Sequence, residues 1–254
     1  MHRSYVDAGA AVVVTASYQV SREGFIGVGR SAQEADAALR ASVDLARDAV
    51  GGTGTLVAGS IGPFGAIRHD GSEYRGRYGV SRDRLVEFHA ERLEVIAAAG
   101  PDLLAIETIP DLDEVDALVE VLGAYPDLPA WLTMTCSDGE RTSAGQPVED
   151  LVDAVRSAHS IRAVGVNCTA PEHVGEILVR LSDAGAPRLV AYPNAGRAWS
   201  PVTGWSGEGS AIGTDLVSLW RQVPGLALVG GCCGIGPKDI AAVAAALDGT
   251  EATP

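Results

Sequence analysis

Four cysteines occur in this chain of 254 residues, at 136, 168, 232 and 233. Two are adjacent, in the segment "LVGGCCGIGPKDI" (228–240), behind a pair of glycines and ahead of a proline that can open a helix. Successive side chains of a strand point to opposite faces, so Cys232 and Cys233 can address one site only where the chain is already turning. The flanking glycines permit such a turn. Together with Cys168 the pair offers three thiolates, the donor set of a zinc ion that keeps its fourth position for a reactant. Two other readings stay open at this level. "GGCCGIGP" also has the form of an anion cradle, a Gly-rich loop running into a helix N-terminus, and buried cysteine is common in protein cores.

The elements that must position these thiols follow one rhythm. A short β-branched or apolar run is followed by a loop rich in Gly, Ser, Thr or Asn, then by an Ala/Leu-rich stretch with charges at helical spacing. The predicted strands are "AAVVVTA" (10–16), "TLVAGSI" (55–61), "LLAIE" (103–107), "AWLTMTC" (130–136), "AVGVNC" (163–168), "RLVAYPN" (188–194) and "LALVGG" (226–231). The predicted helices cover 31–50, 81–99, 111–124, 147–159, 171–185, 211–223 and 237–247. Ser81, Asp111 and Pro171 are natural helix starts. Repeated βα units imply a parallel sheet, and with no GxGxxG after the first strand the reading is a (β/α)8 barrel forming a single domain over 1–254. Only seven units are found, however, and the first strand follows only a helical remnant, "MHRSYVDAGA".

In a parallel sheet the C-terminal strand ends form the site. Those ends hold Thr15 and Ser17, Ser60, Glu107, Cys136, Asn167 with Cys168, Tyr192 with Asn194, and Cys232 with Cys233. Every cysteine of the chain falls among them. The five histidines have no metal-binding spacing and are read as surface or packing residues.

Composition narrows the candidates. A formal charge of −14 opposes binding to nucleic acid or anionic lipid and favours a cationic ligand. The apolar stretches are too short to span a bilayer and the N-terminus lacks a secretory pattern, so the chain is read as cytoplasmic, with free or metal-bound rather than disulfide-bonded cysteines.

The motifs "GVNC" (165–168), "GGCCG" (230–234), "IET" (106–108) and "TASYQ" (15–19) resemble those of the homocysteine S-methyltransferase family. The likeness covers almost the whole chain, most of all that of the small members using S-methylmethionine or S-adenosylmethionine. It implies a zinc-dependent (β/α)8 barrel in which Cys168, Cys232 and Cys233 hold Zn2+ and a methyl group passes from a sulfonium donor to homocysteine, giving methionine. It further implies that Glu107 holds the amino group of homocysteine. Thr15 and Ser17 are expected to hydrogen-bond the substrate carboxylate, Asn167 to support the ligand beside it, and Tyr192 and Asn194, with Trp199, to face the sulfonium. Cys136 has no counterpart ligand and is read as packing.

The family's first strand, with an acidic "DGG"-like motif, has no match here, so the barrel is expected to be N-terminally truncated to about seven units. Unpaired edges would then favour pairing with a second copy. The alternative is an inactive homologue that only binds zinc or thiols.

Overall fold

The apolar runs form seven strands, of which the five central ones are buried on both faces, where an unbroken series of Val, Ile, Leu and Ala is favoured, and the two edge strands are only partly buried. The computed structural model describes residues 1–196, 198–200, 203–207 and 212–248. After helix α1 (His2–Asp7) come β1 (Val12–Val14), α2 (Arg22–Gly27), α3 (Ala32–Val50), β2 (Leu56–Ile61) and α4 (Arg82–Ala98). The middle of the chain gives β3 (Leu103–Ile109), α5 (Leu112–Leu122), β4 (Ala130–Met134), α6 (Asp150–Ala154), β5 (Ile161–Asn167) and α7 (Pro171–Asp183). Then follow β6 (Leu189–Tyr192), a hairpin of β7 (Ala198–Ser200) and β8 (Gly204–Ser206), α8 (Thr214–Trp220), β9 (Leu226–Val229) and α9 (Pro237–Asp248).

The seven principal strands pair in parallel in the order β1-β2-β3-β4-β5-β6-β9, so each joins the strand before it in the chain once the hairpin is set aside. The helices start where the sequence places them. Ser31 and Glu34 form a reciprocal capping box on α3, the Ser81 side chain accepts from Arg84 N on α4, Asp111 accepts from Asp113 N on α5, and Pro171 opens α7. Two expectations need correction. The helix foreseen over 147–159 is only five residues long and has no side-chain cap, and the chain on either side of it folds into turns. The loop after β6 contains the β7–β8 hairpin, which the strand pattern did not suggest.

Alternation along the strands divides the core into two layers. Ile61, Leu104, Ile106, Leu132, Met134, Val164, Val166, Leu189 and Ala191 face outward and pack against helix residues such as Leu93, Leu118 and Ile177. Ala58, Ala105, Trp131, Ala163, Val190 and Tyr192 form one inner cluster, and Val12 and Val14 of β1 and Leu228 of β9 pack against it. Side chains from both edge strands thus meet a common interior, so the sheet curls. Among the described residues no helix is long and apolar enough to cross a membrane.

One inward position has no room for a side chain. A Cβ at Gly165 of β5 would lie 1.8 Å from the Val190 carbonyl oxygen of β6, a backbone atom that cannot step aside without breaking the pairing. Gly165→Ala is therefore expected to destabilise the fold by about 3 kcal/mol, at the upper end of overpacking costs. A urea titration checks this, and an unchanged midpoint would show that the β5–β6 contact is looser than drawn.

Candidate active site and metal centre

The inward ladder ends in chemistry. Following the period of two toward the C-terminal ends, Ala58 leads to Ser60, Ala105 to Glu107, Trp131 to Thr133, Ala163 through Gly165 to Asn167, and Val190 to Tyr192. The apolar floor of the interior thus gives way, one pleat higher, to a ring of polar groups.

At the end of β5 the chain turns sharply. Cys168 adopts φ 50° and Thr108, at the end of β3, φ 61°, both in the left-handed region that a non-glycine residue avoids. Such strain, about 1–3 kcal/mol each, persists only where neighbours over-determine the conformation. Asn167 provides much of that restraint. Its Oδ1 accepts from Thr108 N (2.7 Å) and from Thr133 Oγ1 (2.8 Å), and its Nδ2 donates to Thr108 Oγ1 (2.8 Å) and reaches Cys232 Sγ at 3.9 Å. The Cys168 carbonyl accepts from Asn194 Nδ2 (3.2 Å) and Thr135 Oγ1 (3.3 Å).

The adjacent thiols arrive on a turn after β9. Cys232 N donates to Pro193 O (2.8 Å) and Ala195 N to Cys233 O (2.9 Å), which docks the turn on the loop after β6. Gly231 must lack a side chain because a Cβ there would lie 2.2 Å from Ile235, and Gly234 has φ 84°. The result brings three sulfurs together: Cys168 to Cys233 is 3.6 Å, Cys232 to Cys233 3.9 Å, and all three atoms lie within 4.8 Å of one another. Among the described residues this is the one group of three such donors close enough to share a metal ion. Held by S–H contacts from both neighbours, Cys233 is the thiol whose pKa falls, while hydrogen bonding to the neighbouring sulfurs, and then burial, push Cys232 and Cys168 up.

The anion-cradle reading loses one of its donors. Gly236 N, at the start of α9, is met by the chain's own carboxylate, Asp239 Oδ2 at 2.7 Å.

Glu107 is 8% exposed, and burial raises its pKa to about 7. Hydrogen bonds from Ser60 Oγ (2.5 Å) and from Tyr192 oppose that rise, and the Cys233 charge adds to it. Among the described residues no arginine pairs with it. The Tyr192 hydroxyl also meets Trp131 Nε1 and Thr133 Oγ1, each at 2.9 Å.

Thr15 and Ser17 are buried behind this group. Ser17 Oγ donates to Ser60 O (2.8 Å), Ser60 N donates to Thr15 Oγ1 (2.9 Å), and the two hydroxyls meet at 2.7 Å. In this arrangement both hydroxyl protons are used within the chain, so the pair is placed to hold Ser60 rather than to donate to a substrate carboxylate. Asn194 is committed likewise, to the Cys168 carbonyl and to Gly196 N (2.8 Å), and so braces the site rather than facing a ligand. Cys136 lies apart in the outer core, its pKa raised to about 12 by burial. The Trp199 side chain falls outside the described residues.

Two tyrosines at the site come from the connections after β1 and β2 rather than from strands. Tyr74 OH lies 3.5 Å from Cys168 Sγ, and Tyr18 hydrogen-bonds Thr108 near Cys168 and Glu107. Burial and the nearby negative groups keep both phenols neutral. The signal that could have found Tyr74 is loop length: the connection from β2 to α4 spans 62–81 and is ordered by 3-10 turns at Phe64–Arg68 and Ser72–Tyr74, and a long ordered loop at the active end of a sheet is usually functional.

A curled parallel sheet carrying a three-thiol cluster and a buried carboxylate at its C-terminal strand ends has the architecture of a barrel-type enzyme with a thiolate metal centre. The homocysteine S-methyltransferase family model matches residues 1–247. The homocysteine S-methyltransferase of Escherichia coli is 41% identical, over 96% of this chain and 82% of that protein, and homocysteine S-methyltransferase 4 of Zea mays is 38% identical, over 99% and 79%. The crystal structure of the homocysteine methyltransferase MmuM from E. coli in its metallated form superposes with a TM-score of 0.85 at 39% identity, covering 96% of this chain and 82% of that one. The chain belongs to the homocysteine S-methyltransferase family.

Proposed function

We propose that the protein transfers a methyl group from a sulfonium donor, S-methylmethionine or S-adenosylmethionine, to the sulfur of homocysteine, giving methionine, with zinc held by Cys168, Cys232 and Cys233. The seven strands are read as an arc of a (β/α)8 barrel. The observation that carries the proposal is the sulfur triangle. Tetrahedral zinc with Zn–S bonds of about 2.3 Å sets its sulfurs about 3.8 Å apart. Two of the separations, 3.6 and 3.9 Å, match that spacing, and the third lies within 4.8 Å.

When bound there, zinc supplies the Lewis acidity that ionises a thiol at neutral pH, where a free thiol of pKa about 8.5 is mostly protonated. The remaining work belongs to the chain. Glu107, ionised, pairs with the ammonium of homocysteine, and Ser60 and Tyr192 hold its carboxylate by hydrogen bonds that favour the charged form. Asn167 fixes the two strained strand ends, so that Cys168 and the Glu107–Thr108 segment keep their relative positions. Tyr74 directs its hydroxyl at Cys168. The homocysteine sulfur then gives an electron pair to the methyl carbon as the carbon–sulfonium bond breaks. The leaving sulfide keeps that bond's pair and becomes neutral, and the thiol proton goes to solvent. Alignment of the three atoms is the main contribution the protein can make to such a displacement, and the acidic surface favours the cationic donor over the neutral product.

Protein purified without chelator is expected to contain about one zinc per chain by elemental analysis, and to methylate homocysteine with one of the two sulfonium donors. Folded protein without zinc, or zinc-loaded protein inert toward homocysteine with both, would remove the proposal.

A further inference from the structure

Arg92 lies in the middle of α4, on the helix layer, yet it is only 1% exposed. Among the described residues it has no ion-pair partner within contact distance. Its guanidinium is instead filled by backbone carbonyls. Nε donates to Val20 O (3.0 Å), Nη1 to Gly62 O (2.7 Å), and Nη2 to Tyr18 O (2.7 Å) and Ser17 O (3.3 Å). Three of those oxygens belong to the loop after β1 and one to the loop after β2.

Both loops lead straight into the site. The first carries Ser17, which holds Ser60, and Tyr18, which bonds Thr108. The second follows Ser60, the partner of Glu107, and continues to Tyr74 against Cys168. The two also touch each other: a Cβ at Gly62 would lie 2.5 Å from the Tyr18 ring and 2.6 Å from its carbonyl oxygen. The same helix layer anchors the second loop further on, because fully buried Glu114 accepts from Phe64 N (2.6 Å), Tyr78 OH (2.8 Å) and His89 Nε2 (2.9 Å).

Burying a guanidinium without an ion-pair partner costs free energy, and burial lowers the Arg92 pKa to about 10 against the opposing pull of Glu114 and Tyr18. A fold that needed only packing at this position would do better with Leu or Met. What Arg alone offers is a rigid planar fork of donors that can fix several acceptors at once.

We propose that Arg92 is a positioning residue, which clamps the loops after β1 and β2 together and thereby sets the wall of the homocysteine pocket that faces the thiol cluster, without touching substrate. This rests on the homocysteine-methylating reading of the site.

The test compares zinc-loaded Arg92→Lys and Arg92→Gln with the native protein. Lysine keeps the charge but presents its donors from one atom, so it cannot span the two loops. Its variant is expected to bind about one zinc per chain, to raise KM for homocysteine at least about tenfold, and to change kcat less than about threefold. Arg92→Gln should shift KM further. A role in stability alone would reduce the folded fraction, lower the apparent kcat and leave KM as it was. Amide hydrogen exchange adds a readout independent of activity: residues 17–20 and 62–66 should exchange faster in the Lys variant while β5, β6 and β9 stay as protected as in the native protein. If native protein fails to methylate homocysteine, the activity reading falls, and the exchange result still decides the clamp. Unchanged KM in folded variants, unchanged exchange in the two loops, or failure of both variants to fold would overturn the proposal.

Discussion

Cys168→Ala and Cys233→Ala are each expected to give a folded chain that retains less than about a tenth of a zinc ion and methylates homocysteine at least about a hundredfold more slowly. Loss of a group that only orients a metal ligand already costs 10–100-fold in affinity or activity, so loss of a ligand itself should reach or exceed that range. The fold should survive because these sulfurs sit on turns at the rim, outside the two packed layers that hold the strands together. Elemental analysis beside far-ultraviolet circular dichroism separates the outcomes. Zinc retained by both variants would show that the triangle is not the metal centre, whereas collapse of the dichroism would make the metal structural. Cys136→Ala serves as the control, with zinc content unchanged.

Glu107→Gln is expected to weaken homocysteine binding at least about tenfold and to leave zinc untouched. Removing one partner of a buried, hydrogen-bonded charge pair costs about 2–5 kcal/mol. The pH dependence adds a signature. Burial raises the Glu107 pKa to about 7 from an ordinary 4.5, so the folded chain holds this proton more tightly than the unfolded chain does. In the absence of substrate this group therefore makes the fold lose stability as pH rises from about 4.5 to 7, and the loss is complete above the folded value. Substrate reverses the preference, because its ammonium pairs with the ionised carboxylate. Homocysteine affinity should accordingly improve as pH rises toward 7, by about tenfold per unit more than in Glu107→Gln, in which that proton is absent. Calorimetric titration across pH 5.5–8 measures both. Parallel pH profiles for the two proteins would return Glu107 to a structural role.

The strands were legible because burial on both faces writes itself into composition: "LLAIE" and "AWLTMTC" admit little else, and capping residues such as Ser81 and Asp111 marked the helices that followed. The thiol cluster was legible for a different reason. Cysteine is rare in this chain, and its placement at strand ends needs no knowledge of distances. Groups brought in by long connections were hidden. Nothing local distinguishes Tyr74 in "DGSEYRG" from a surface tyrosine, and Arg92 in "FHAERLEVI" reads as an exposed helical charge until the loops that bury it are in place. Thr15 and Ser17 lie at the strand end where the sequence places them, but their bonds to each other and to Ser60 were not legible, because a hydroxyl in a sequence gives no sign of which acceptor takes its proton. The β7–β8 hairpin escaped because three-residue strands leave too short an alternation to detect.

The order of the sheet has a temporal meaning. Because β1 through β6 line up beside one another in the sequence in which they leave the ribosome, each can dock on a strand already made, and the sheet can grow from one edge as synthesis proceeds. The two companions of Cys168 follow it by 64 and 65 residues, on the turn after β9, the last strand among the described residues. On the zinc reading proposed above, the three-sulfur site is complete only once the turn after β9 has docked, so capture of the ion is expected late in assembly. Zinc uptake during refolding should then follow the slowest strand-docking step, which makes the metal a clock for completion of the sheet.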